Sequence, residues 1–168
     1  MLRKTFFFFF FQLMIGLVYG QQVQHVETFQ ALKPMLEKPS GDTLFVYNFW
    51  ATWCRPCVKE LPYFQKLDSV YADKKVKVVL ISIDDPEMIE PMVKPFVKRR
   101  KITQPVYVLT DPKQNDWIPQ ISEEWSGAIP ATLIMNNEEG IVSFKEQSFT
   151  YEELSEWVDE VLKNRPKK

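Results

Sequence analysis

The sequence predicts one α/β domain built on a central mixed β-sheet with helices on both faces. Three observations carry that expectation. Strand-like and helix-like segments alternate from residue 23 almost to the end of the chain. Residues 43–50 and 76–83 are nearly continuous apolar runs rich in β-branched and aromatic residues, the pattern of strands buried on both faces. The 168 residues are 45% hydrophobic, enough for the core of one ordinary domain and too apolar for disorder.

Residues 1–20 are set apart as a secretory signal peptide. Arg3 and Lys4 form a positive start, residues 6–18 are apolar except for Gln12 and Gly16, and Val18 and Gly20 suit a cleavage site. That run falls short of the roughly 20 residues that span a bilayer. The domain is therefore residues 21–168, exported, with 19 basic against 22 acidic side chains. So slight an acidic excess argues against nucleic acid as the partner.

Residues 23–26 read as a short strand, and residues 27–37 as a helix with Phe29, Leu32 and Leu36 on one side. A Pro39-Ser40-Gly41-Asp42 turn leads into the strand 43–50. A helix over 55–72 carries Val58, Leu61, Phe64, Leu67 and Tyr71 at helical spacing. The strand 76–83 precedes an amphipathic helix over 86–100, which Pro91 and Pro95 should bend or divide. Within it Met88 and Met92 lie one turn apart and are assigned to helix packing, and five basic residues over 94–101 to a solvated face. A strand over 105–109 and a short helix within 114–125 follow. Residues 131–135 and 141–144 form a hairpin, and Thr150 or Ser148 caps a last helix reaching residue 162.

Trp53-Cys54-Arg55-Pro56-Cys57 carries the chemistry, and it holds both cysteines of the chain. The motif stands where a buried strand gives way to a helix. Thiol–disulfide exchange needs a thiolate, and an unperturbed cysteine with a pKa near 8.5 is mostly protonated at neutral pH. Cys54 at the helix N-terminus faces unpaired N–H groups and the positive end of the helix dipole. Cys57, one turn on, can close a disulfide with it, and Pro56 fits the first turn, where a missing N–H costs little. A CxxC is also half of a zinc site, but the second half is missing, and the single histidine, His25, shows no partner. A purely structural disulfide closing so small a loop would restrain the unfolded chain weakly.

Asn48-Phe49-Trp50-Ala51-Thr52-Trp53-Cys54-Arg55-Pro56-Cys57, Pro62, and Ile129-Pro130-Ala131-Thr132 ahead of a buried strand together resemble the thioredoxin superfamily. The resemblance is especially to its exported TlpA- and ResA-like thiol–disulfide oxidoreductases. The opening segment 21–37 is more similar to plain thioredoxins. The resemblance implies a thioredoxin fold and a cis Ile129–Pro130 bond beside the cysteines. The backbone there would pair with an extended substrate segment, with Trp53, Ile129 and Trp125 as its apolar rim.

Asn48 replaces the buried aspartate of cytosolic thioredoxins and cannot titrate. Glu60 matches an acidic residue of ResA-like proteins. Buried beside the sulfurs, it would have a raised pKa and could exchange a proton with Cys57; otherwise it is a solvated helix residue. Arg55 could stabilise the Cys54 thiolate or be a tolerated surface side chain.

The function implied is reduction of disulfides in exported proteins or apocytochromes of a bacterial envelope, without a bound cofactor or metal. Electrons would come from a membrane-embedded dithiol donor. A module capturing copper or another soft metal through the same two thiolates is the alternative. A peroxidase on this fold is disfavoured by the paired cysteines.

Overall fold

A computed structural model describes residues 23–38 and 41–166. The signal-peptide expectation lies outside the described residues, as does part of the 39–42 turn.

The chain forms β1 (Val23–Val26), α1 (Phe29–Leu36), β2 (Leu44–Trp50), α2 (Arg55–Val70) and β3 (Val76–Ser82). Next come α3 (Lys94–Arg99), β4 (Val106–Leu109), α4 (Gln114–Ile121), β5 (Ala131–Asn136), β6 (Ile141–Lys145) and α5 (Tyr151–Lys163). One six-stranded sheet runs β1-β4-β3-β2-β5-β6. The first four strands are mutually parallel, and β5 and β6 are antiparallel additions beside β2. This is the predicted α/β class with a mixed sheet.

Alternation along the central strands divides the core into two layers. Leu44, Val46 and Trp50 of β2 join Val78 and Leu80 of β3 on the face covered by α2, α3 and α5, through Phe64, Phe96 and Trp157 among others. Tyr47, Phe49, Val79 and Ile81 face the other way, onto Phe29 and Leu32 of α1 and Trp117 and Ile121 of α4. Helices therefore cover both faces, as the sequence implies.

Prolines account for the main departure. The expected helix over 86–100 is a 3₁₀ turn (Pro86–Met88), a π-helical turn (Ile89–Val93) and then the short α3. Pro91 lacks an N–H, and its ring would collide with a carbonyl of the preceding turn in a regular helix; an added residue relieves that clash. Ile89, Val93, Phe96 and Val97 form the buried stripe. Met88 and Met92 lie one residue off it and are exposed, which corrects the assignment of both to packing. The basic residues over 94–101 are exposed, as expected. At the last helix Thr150, not Ser148, is the N-cap, in a capping box with Glu153.

His25 does have a partner. Because β1 pairs with β4, its Nε2 lies 2.9 Å from the Thr110 hydroxyl.

Candidate active site

Strand β2 is central and buried, so its C-terminal end opens where the parallel strands all point, the usual ligand side of such sheets. Residues 51–54 carry the chain from there into α2. Asp84, just beyond β3, anchors that connection. Its buried carboxylate accepts from the Thr52 N–H (2.9 Å), the Thr52 hydroxyl (2.5 Å) and the Ser82 hydroxyl (2.6 Å). The buried Ser82 hydroxyl alone would cost about 1–3 kcal/mol if left without a partner. Sequence reasoning missed Asp84. Its signal was an acidic residue at the end of the most hydrophobic strand, where a lone carboxylate needs donors.

Cys54 and Cys57 are joined as a disulfide, with Cα atoms 5.3 Å apart. Cys54 is the N-cap of α2, and its sulfur accepts the Cys57 N–H at 3.3 Å. No acidic side chain in the first turn competes with a Cys54 thiolate for the positive end of the helix dipole, and Pro56 sits within that turn. Cys57 is fully buried while Cys54 keeps 5% exposure, so an incoming sulfur meets Cys54 first. Arg55 and Pro56 are exposed beside it.

The Ile129–Pro130 peptide is cis. Pro130 is buried, Ile129 half-buried, and the Ile129 carbonyl oxygen lies 3.8 Å from Cys54 Sγ. Trp53 is 65% exposed at the rim. Trp125 is not at the rim. It is buried against Phe49 and Trp117, and its Nε1 donates to the Ala128 carbonyl at 2.8 Å, bracing the loop before Pro130 from beneath. Gly127 in that loop has φ +97°, a conformation that L side chains rarely adopt.

Glu60 is buried, with 1% exposure, three residues after Cys57 on α2 and so on the same helix face. One carboxylate oxygen accepts from Asn48 Nδ2 (3.1 Å) and the other from the Phe149 N–H (2.8 Å). Burial pushes its pKa up to about 7, although both hydrogen bonds oppose the rise. A solvated helix residue is therefore not what Glu60 is. Asn48 also donates to the Thr132 hydroxyl at 3.2 Å, while its Oδ1 is buried without a partner. Glu60 lines a cavity of about 250 Å³ with Pro56, Lys59, Tyr63 and Phe149.

Among the described residues no group of three or more His, Cys, Asp or Glu side chains is arranged to hold a metal ion. Nor is any helix long and apolar enough to cross a membrane among them. The soft-metal alternative finds no support in the relatives described next.

Residues 35–160 match the Redoxin family model. The sporulation thiol-disulfide oxidoreductase A of Bacillus subtilis is 30% identical over 123 residues, 73% of this chain and 70% of that protein. The thiol-disulfide oxidoreductase ResA of Oceanobacillus iheyensis is 30% identical over 115 residues, covering 68% of this chain and 55% of that one. Among solved structures, StoA from Bacillus subtilis superposes with a TM-score of 0.53 at 27% identity, over 70% of this chain and 83% of that one. The fold is thus the thioredoxin fold, and two of these relatives are named for thiol–disulfide chemistry, which a Cys54–Cys57 pair can perform. The chain belongs to the Redoxin family and is a thiol–disulfide oxidoreductase.

Proposed function

We propose that the reduced pair works as a reductant of disulfides in exported proteins, apocytochromes among them. The observation that carries this reading is a nearly buried Cys54, 5% exposed at the helix N-terminus, beside a fully buried Cys57 with buried Glu60 on the same helix face.

The Cys54 thiolate attacks one substrate sulfur. The substrate disulfide breaks, one substrate thiolate leaves and takes a proton from water, and a mixed disulfide forms. Glu60, as carboxylate, accepts the Cys57 proton. The Cys57 thiolate then attacks the Cys54 sulfur, closing the intramolecular disulfide and expelling the second substrate sulfur as a thiolate, which takes up the proton held by Glu60. Two electrons pass to the substrate. Trp53, Ile129 and Pro130 seat the substrate segment, the Ile129 backbone pairing with it as a short added strand. Arg55 and Pro56 tune the nucleophile, Arg55 by its charge and Pro56 by fixing the first turn.

The reducing direction has a physical basis. A carboxylate near the sulfurs disfavours thiolate, which favours the disulfide form of this chain and makes its dithiol the better donor. Return to the reduced form requires an external dithiol, which outside the cytoplasm implies a membrane-embedded donor. Residues 1–20 would direct export to a bacterial periplasm or envelope, leaving 21–168 as the working domain.

Equilibration against a thiol redox buffer tests the direction. A reductant should lie near the thioredoxin end of the range, about −270 mV or lower. A value near the strong-oxidant end, about −120 mV, would overturn the proposal.

A further inference from the structure

We propose that the groove beside Cys54 prefers substrate cysteines flanked by arginine or lysine, the cation being held between the Trp53 indole and the Asp85 carboxylate; this rests on the reductase reading above. The groove has a volume of about 480 Å³ and is lined by Trp53, Ile83, Asp85, Gln114, Gly127 and Ile129. It adjoins the nucleophile, because Ile129 is the residue whose carbonyl approaches Cys54 Sγ. Of its lining side chains only Asp85 is charged.

Two consecutive aspartates follow β3 and serve opposite ends. Asp84 turns inward and is occupied by Thr52 and Ser82. Asp85 is exposed and stands at the N-cap position of the Pro86–Met88 turn, yet its side chain makes no capping hydrogen bond. No ion pair engages it among the described residues. An unengaged carboxylate and an open indole lining one groove suit a guanidinium or ammonium group, by charge and by cation–π attraction. Arg55 and Lys59, exposed at the start of α2, disfavour a cation on that side of the sulfur.

The test uses the reduced full chain and three disulfide-linked peptide dimers that differ only in the residues flanking cysteine: Arg, Ala or Glu on both sides. Each rate is divided by the rate of the same dimer with dithiothreitol, which removes the effect of flanking charge on the leaving thiol. The normalised rates should fall in the order Arg, Ala, Glu, with about a tenfold spread at low ionic strength that narrows as salt rises. Asp85→Asn should shrink the spread severalfold, and Asp85→Lys should invert the order. Asp73→Asn, in the turn beyond the far end of α2, should leave it unchanged, which separates the groove from net charge. Equal normalised rates for the wild type, or an Arg preference surviving Asp85→Lys, would overturn the proposal while leaving the reductase reading intact. Reduction of none of the dimers would overturn both.

Discussion

Cys57→Ser is expected to turn a turnover catalyst into a stoichiometric trap. Cys54 remains at the helix N-terminus with its sulfur facing the N–H of residue 57, a backbone group the substitution keeps. Attack on a substrate disulfide therefore still occurs. The fully buried position that supplies the resolving thiolate is gone, so the mixed disulfide persists. Mass spectrometry under non-reducing conditions should show one adduct per chain, released by dithiothreitol, with multiple turnover reduced to background. Cys54→Ser should give neither adduct nor turnover. Adducts forming on Cys57 in that variant would reverse the assignment of roles, which rests on the N-cap position of Cys54 and its slightly greater exposure.

Glu60→Gln has the second-largest expected effect, and it is double. In exchange, the wild-type rate should rise with pH through about 7 as the carboxylate forms and begins to accept the Cys57 proton. The variant should lose that inflection and about 10²-fold in rate, the low end of what a positioned base contributes.

In stability the sign is opposite. The folded-state pKa of Glu60 is raised above its ordinary value of 4.5. Below that value the folded and unfolded chains both hold the proton, and burial costs the least. Between pH 4.5 and 7 the unfolded chain releases its proton first, so stability falls, and above 7 the loss levels off at roughly 3 kcal/mol. Urea melts of the oxidised proteins should therefore show the variant gaining about that much on the wild type between pH 4 and pH 8. The new amide can be accommodated, because the partnerless Asn48 Oδ1 can turn toward it and accept its N–H. A difference independent of pH would place the Glu60 ionisation elsewhere.

The parts of this site that follow local rules were readable from the chain. The β2-to-α2 junction with its CxxC depends on an apolar run, a helix start and a proline in the first turn, all within a dozen residues. Trp50 as core and Trp53 as exposed also follow from that short stretch. Glu60 was ambiguous because its burial depends on Phe149, 89 residues away, whose N–H reaches back to it. Asp84 was missed for a similar reason, since its partner Thr52 lies 32 residues earlier on the neighbouring connection. Met88 and Met92 were misplaced by a period-3.6 reading carried across Pro91, where the π turn shifts the buried stripe by one residue. Trp125 was misread as rim because its position depends on how the loop before Pro130 folds over it.

The most direct test of the central claim is a single-turnover experiment with the full chain. Reduced protein is mixed with excess of a disulfide-linked peptide, quenched with acid, and both partners are weighed. Each chain should reduce one disulfide, lose the mass of two hydrogen atoms and recover the Cys54–Cys57 bond, while the oxidised chain should transfer little of its disulfide to the reduced peptide. Faster transfer from the oxidised chain to the reduced peptide, or no exchange in either direction, would contradict the assignment of Cys54 and Cys57 as a disulfide-reducing pair.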